Sequence, residues 1–357
     1  MIKFPILDGH NDTLTHIFRQ ERGQGRSFYE RSDIGQLDLP RAMQGGLAGG
    51  VCAIYTPPPP TDGDSDFDDK MNPRNGGYEV PYAAAVDYDY ARDFTLQLFD
   101  FVEQLEAEGN GRVAITRDYI DLVDNLKNHV FSIVLGIEGA AAISPDLSNL
   151  QEYYDRGLRV INPVWSRPNA FGYGVPFCYP SSPDTGPGLT SAGKALVKAC
   201  NEMGILIDLA HLNEKGFWQV AELSNAPLVT SHTAAHAICP ISRNITDEQI
   251  KAIGQSEGLI GIYYMPGGLR PDGKNERDTP LAAIVKHIDH IVDLIGIDYV
   301  ALGSDFDGAT MPYGLNDVSA LPNLLQVLKN AGYDDEDLAK ITYENWVRVF
   351  RNTWQGQ

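Results

Sequence analysis

Eight short apolar runs recur along this chain, and most are separated by stretches with helical character. They cover residues 6–10, 47–55, 131–138, 158–165, 204–211, 226–232, 258–264 and 299–305. Apolar, β-rich runs that alternate with helices indicate a parallel β/α architecture. With eight such units the leading fold is a closed (β/α)8 barrel of the TIM type. A doubly wound open sheet is the alternative. No G-x-G-x-x-G follows the first run, which weakens a dinucleotide-binding reading of that alternative. Neither an internal repeat nor a linker interrupts the chain, so residues 1–357 are expected to form one barrel domain. Two loop insertions stand out. One is the Pro-rich, acidic stretch near 57–81, which lacks periodicity and has the length of a lid. The other is the Gly/Pro/Tyr-rich stretch near 166–188. Helices are expected over 82–108, 192–203, 281–295, 321–331 and 335–352. Thr190 and Ser191 can cap the second of these, and Thr246-Asp247 a short helix that ends near 253.

Charge narrows the range of partners. The chain has 28 Lys+Arg against 48 Asp+Glu, a net charge of −20, and no basic cluster. Such a surface disfavours non-specific binding to nucleic acid or to an anionic membrane. No apolar run approaches the ~18 residues of a membrane span, and residues 1–5 lack the apolar core of a signal peptide. The cysteines, Cys52, Cys178, Cys200 and Cys239, show no C-x-x-C spacing, so neither a zinc ribbon nor a redox motif is indicated. Buried free thiols in the cytoplasm are the expectation.

The polar residues at the ends of the runs are more telling. In a (β/α)8 barrel, functional groups sit at the C-terminal ends of the strands. His10 and Asp12 follow the first run, Glu138 the third, His211 the fifth, His232 the sixth and Asp305 the eighth. Residues i and i+2 of a strand share a face, so His10 and Asp12 should project together. Three imidazoles and three carboxylates can ligate two metals with one carboxylate bridging. Mixed nitrogen and oxygen donors suit Zn²⁺ best, with Mn²⁺, Fe²⁺ or Co²⁺ as alternatives. Taken one at a time, each residue also has a structural reading: a turn at 8–12, a cap at Glu138, a turn at 303–308, a surface salt bridge at Arg243. The coincidence of the histidines and carboxylates at strand ends favours metal. His287 and His290, three apart on a helix, read as surface or structural residues. Neither Gly-x-Ser-x-Gly nor His-Glu-x-x-His occurs, so a nucleophile-elbow serine and a zincin are unsupported.

Over nearly its whole length the chain resembles the renal (membrane) dipeptidase family of zinc peptidases, within the amidohydrolase superfamily. The resemblance rests on Asp8-Gly-His10-Asn-Asp12, Gly136-Ile-Glu138-Gly, Leu189-Thr-Ser-Ala-Gly193 and Gly204-Ile-Leu-Ile-Asp-Leu-Ala-His211. It continues through Ala226-Pro-Leu-Val-Thr-Ser-His232, Ser242-Arg243-Asn244, Gly303-Ser-Asp305-Phe-Asp-Gly308 and Glu344-Asn345-Trp-Val-Arg-Val-Phe350. It implies that His10 and Asp12 ligate one zinc, that His211 and His232 ligate a second, and that Glu138 bridges them. Arg243 then matches the arginine that holds the terminal carboxylate of a dipeptide, a task suited to a guanidinium fork. Asp305 matches the acid/base aspartate, and the metal pair activates a bridging water.

One position departs from the family pattern. The substrate-side histidine of a Thr-His-x-x-Asn stretch falls at Trp165, or at Ser166 if Asn169 sets the alignment. An indole can donate one hydrogen bond but cannot carry imidazole charge, and Arg167 supplies charge there if its loop turns inward. The expected activity is metal-dependent hydrolysis of dipeptides, including those with a D-residue on the C-terminal side. Its rival is a metallohydrolase of a non-peptide amide or lactone on the same scaffold. The expected partner is a small dipeptide, and a homodimer is a candidate assembly.

Overall fold

The computed structural model describes residues 4–59, 71–74 and 76–354. Among them are twelve strands: β1 (Ile6–Asn11), β2 (Leu47–Tyr55), β3 (Asn72–Arg74), β4 (Gly77–Val80), β5 (Val113–Ile115), β6 (Phe131–Glu138), β7 (Leu158–Asn162), β8 (Phe177–Tyr179), β9 (Leu206–Ile207), β10 (Val229–Thr233), β11 (Leu259–Ile262) and β12 (Val300–Leu302). Eight of these are the eight apolar runs. Parallel pairing runs β1-β2-β6-β7-β9 and, separately, β10-β11-β12. Two single bridges join the arcs into a ring. Asp208 pairs with Val229 between β9 and β10, and Asn11 with Phe306 between β1 and the end of β12. The second seam carries two backbone bonds, Asp12 N–H to Phe306 O (2.8 Å) and Asp305 N–H to His10 O (2.9 Å). The sheet is therefore a closed barrel rather than a doubly wound open sheet.

Packing inside the ring explains which end is open. Leu7, Val51, Val134, Val160, Leu206, Val229, Leu259 and Ala301, one from each barrel strand, form one buried cluster with Trp346, Val349, Phe350 and Trp354 of the last helix, Asn345–Trp354. The aromatic residues stack in series, with ring centres 5.4 Å apart for Trp346–Phe350 and 4.5 Å for Phe350–Trp354. Trp346 donates its indole N–H to Leu302 O, and the Asn345 amide donates to Ile297 O and Val300 O. The conspicuous Glu344–Phe350 segment is thus a plug for the N-terminal mouth of the barrel. The plug needs Gly9, where an added Cβ would lie 2.3 Å from Ser231 O and 2.5 Å from the Trp346 ring. Residues two further along several strands then point into the opposite, open mouth.

Thr190 caps Ser191–Met203 through Gly193 N–H, and Thr246 forms a capping box with Gln249 at the start of Asp247–Gln255, both as the sequence suggests. Three elements differ from expectation. The first long helix starts at Tyr88 rather than 82. The terminal helix over 335–352 is broken by a π-helical turn at Lys340–Glu344. The two insertions are not plain loops: β3, β4 and β8 pair antiparallel into a small sheet, uniting the insertion near 57–81 with the one near 166–188. Residues 60–70 and 75 of the first insertion lie outside the described residues. All four cysteines are free and buried. No helix among the described residues is long and apolar enough to cross a membrane.

Candidate metal centre

At the open mouth, Glu138 ends β6, and its Oε1 lies 2.9 Å from His211 Nε2, 3.4 Å from His232 Nε2 and 3.6 Å from His10 Nε2. The His211 and His232 Nε2 atoms are 3.1 Å apart. The His10 and His232 rings stack at 3.8 Å. His10 Nε2 is 3.8 Å from Asp12 Oδ2. Three groups each bring their ligand atoms within 4.8 Å of one another: Glu138, His211 and His232; His10, Asp12 and Asp305; and, sharing a histidine with each of these, His10, Asp208 and His232. The pairing of His10 with Asp12 is reached differently from the i, i+2 strand expectation. β1 ends at Asn11, and Asp12 already has helix-entry torsions (φ −97°, ψ 15°). His211 (φ +67°), Asp305 (φ +64°) and Asp307 (φ +65°) adopt left-handed backbone, the kind of local strain that gathers at functional sites.

Electrostatics tests whether these residues suit a cation. Burial resists charging His10, but Glu138, Asp12 and Asp305 outweigh it and push His10 up to about 10. Burial, with Asp12 and Asp305 adding to it against the pull of His10, raises Glu138 well above the carboxylate range. Burial also pushes Asp305 up to about 6, helped by Asp12 and opposed by His10 and Arg243. His211 and His232 are held well below the ordinary imidazole value by burial and by the positive charges of Arg243 and His10. The carboxylates thus repel one another and draw a positive charge into the cluster, which here His10 supplies. His10 Nδ1, His10 Nε2 and Asp12 Oδ1 are buried with no hydrogen-bond partner among the described residues. Leaving such atoms unsatisfied is costly, so the donor set fits a metal.

The candidate ligand side chains are braced from behind. Ser166 Oγ is 2.8 Å from His211 Nδ1, and Ser231 Oγ is 2.8 Å from His232 Nδ1. Asp8 accepts the Ser304 N–H (2.6 Å) and hydroxyl (2.7 Å) across the β1–β12 seam. Asp208 gathers Asn162, Ala210 and Ser231. Sequence reasoning missed Asp8, Asp208, Ser231 and Ser304, although each lies within three residues of a strand-end candidate. Asp307 is not an ordinary turn residue. It is buried, ion-paired to Arg26 at 3.0 Å, and accepts the Gln36 N–H and the Thr13 hydroxyl. His287 is structural as expected but buried: its Nδ1 accepts Ala235 N–H, and its Nε2 lies 3.0 Å from Leu269 O.

A cavity of about 1170 Å³ opens above the cluster, lined by Asp12, Glu138, His211, Asp305, Arg243 and Trp165 among others. Arg243 is 4 % exposed and donates Nη2–H to His232 O at 2.8 Å, so the surface salt bridge is excluded and the guanidinium belongs to the cavity. Trp165 forms an aromatic wall with Tyr55 (5.0 Å) and Phe177 (6.3 Å). Arg167 does not turn inward. It is buried beneath that wall, 5.2 Å from the Tyr55 ring and 5.6 Å from the Trp165 ring, and donates to Thr56 O.

Comparison with known proteins agrees with this geometry. Residues 1–356 match the model of the family described as "Membrane dipeptidase (Peptidase family M19)". A metallopeptidase from Rhodobacter sphaeroides, solved with a phosphinate mimic of the dipeptide L-Ala-D-Ala, is 40 % identical with a TM-score of 0.94, covering 98 % of this chain and 99 % of its own. The solved dipeptidase AC is 39 % identical with a TM-score of 0.93, covering 99 % of both chains. Dipeptidase aclJ of Aspergillus oryzae is 31 % identical over 98 % of this chain and 78 % of its own length. The chain belongs to the membrane dipeptidase family, a family of metal-dependent dipeptidases.

Proposed function

We propose that this protein hydrolyses dipeptides bearing a free C-terminal carboxylate, including L-Xaa-D-Xaa substrates, at a two-zinc centre. The observation that carries the reading is the position of Glu138. It stands between the His10 side and the His211–His232 pair, beneath a cavity also lined by Asp305 and Arg243. Glu138 would bridge, His10 and Asp12 would hold one zinc, and His211 and His232 the other. Bound zinc supplies an acidified water and polarises the scissile carbonyl. The chain's own residues do the rest. Asp305, which lines the cavity above the cluster, accepts the water's proton and returns it to the leaving amine. Arg243 anchors the substrate carboxylate and so sets the peptide length. Trp165 offers an apolar wall to a substrate side chain, where the family pattern has a histidine. The L-Ala-D-Ala mimic bound by the Rhodobacter relative supports a D-residue on the C-terminal side. The four buried thiols support a cytoplasmic location.

The test is elemental analysis of purified protein combined with a matched panel of L,L- and L,D-dipeptides. Two zinc per chain and L,D-dipeptide hydrolysis abolished by chelation are expected. Chelator-insensitive turnover, or activity confined to lactones and non-peptide amides, would refute the reading.

A further inference from the structure

We propose that Asp208 acts through the Ser231 hydroxyl to fix His232 as its Nδ1–H tautomer, so that the Nε2 lone pair faces the metal centre. This rests on the reading of His232 as a ligand, and Asp208 is a positioning residue. It is fully buried just beyond β9. Its Oδ1 accepts Ala210 N–H (3.0 Å) and Ser231 N–H (2.8 Å). Its Oδ2 accepts the Asn162 amide (2.7 Å) and makes a short bond with the Ser231 hydroxyl. Two backbone N–H groups and an amide thus converge on it, which suits an ionised carboxylate that can only accept.

The tautomer follows from counting protons. Ser231 Oγ lies between Asp208 Oδ2 and His232 Nδ1, the latter at 2.8 Å. A hydroxyl has one proton, and the carboxylate has none to give, so that proton goes to Asp208. The contact with the ring must then be donated by the ring, which places a hydrogen on Nδ1. In the neutral imidazole Nε2 is left bare, 3.1 Å from His211 Nε2 and 3.4 Å from Glu138 Oε1. The other histidine of this pair lacks such a device: Ser166 touches His211 Nδ1, but no carboxylate among the described residues takes the Ser166 proton. Asp208 also couples the site to the barrel, because Asn162 closes β7 and its amide reaches Ala210 O beside His211.

The relay predicts a signature visible without metal or substrate. In metal-free protein labelled with ¹⁵N-histidine, long-range ¹H–¹⁵N spectra at pH 7.5 should show His232 as a single Nδ1–H tautomer. Asp208→Asn can donate to Ser231, so the hydroxyl proton should turn to the ring and His232 should flip to Nε2–H. Ser231→Ala should give mixed tautomers and weaken zinc about 10- to 100-fold in a chelator competition, as loss of an outer-sphere partner does. Ser231→Thr, which keeps the hydroxyl, should restore both. Should Asp208→Asn not fold, Ser231→Ala and its Thr rescue decide. An Nε2–H tautomer in the parent protein, or an unchanged Nδ1–H tautomer in Ser231→Ala, overturns the relay. A parent protein that shows the expected tautomer yet binds no zinc would instead overturn the metal reading and leave the relay intact.

Discussion

Replacing Arg243 by methionine tests the substrate class most directly. Met keeps much of the apolar stem but removes the charge and every donor. Two losses follow, and the structure separates them. The first is the bond from Nη2 to His232 O, whose removal leaves a buried carbonyl short of a donor at about 1–3 kcal/mol. That cost falls on the protein whichever substrate is bound. The second is the pairing with a substrate carboxylate in a desolvated cavity, about 2–5 kcal/mol when one partner is truncated. This corresponds to roughly 30- to several-thousand-fold in kcat/KM. The assay is therefore a ratio: kcat/KM for a free-acid dipeptide and for its C-terminal amide, on parent and variant. The amide lacks the charge, so it should suffer only the first loss, and the acid-to-amide preference should collapse by the second. Metal content measured alongside shows whether disturbance of His232 contributes. Equal losses for acid and amide would refute the carboxylate role and favour a non-peptide substrate.

Three further outcomes are expected. Asp305→Asn should retain metal by elemental analysis while kcat falls about 10²- to 10⁴-fold; near-normal kcat would remove it from acid/base chemistry. Gly308→Ala should fold with a Tm close to the parent's but lose about 10²-fold or more in kcat/KM. Its new Cβ would lie 2.1 Å from Asp12 Oδ2 and 2.5 Å from Asp305 Oδ1, and unchanged kinetics would show that those carboxylates need no fixed place. Burial lowers His287 from 6.5 to about 4, so the unfolded chain binds the extra proton first as the pH drops. Stability present above about pH 6.5 should be lost progressively down to about pH 4, by about 3 kcal/mol. Urea unfolding of His287→Gln should show a correspondingly smaller drop, and an identical pH profile would refute the assignment.

The barrel was legible because each barrel strand is a dense apolar run, and because polar residues stand at the ends of the runs. His10, Glu138, His211, His232 and Asp305 announce themselves by that contrast. The residues that orient them do not. Asp8 and Asp208 sit inside the runs, and only the fold shows that Asp8 meets Ser304 and Asp208 meets Ser231. Arg243 was ambiguous for the same reason: its burial depends on packing against Tyr263 and on the His232 carbonyl. The small sheet of β3, β4 and β8 was invisible because its pairing links segments about a hundred residues apart, and because β3 is exposed and β4 mostly half-buried, so neither shows alternation.

The seam between β1 and β12 has a consequence for how the molecule assembles. Ser304 lies 294 residues from His10, yet its hydroxyl reaches the His10 carbonyl. Contacts so distant in sequence are slow to form, since a large loop must close before they contribute. His10 and Asp12 therefore leave the ribosome long before Asp305, and the first and last strands must meet before Asp305 can stand beside the centre that His10 and Asp12 would help to hold. Until then Asp12 and Asp305 bring like charge to a joint held by few backbone bonds. A cation held by His10 and Asp12 beside Asp305 would offset that repulsion, and its binding energy would add directly to the stability of the closed ring. Metal loading is on this view the last step of folding, and the amides of β1 and β12 should gain more hydrogen-exchange protection from it than those of β6 and β7.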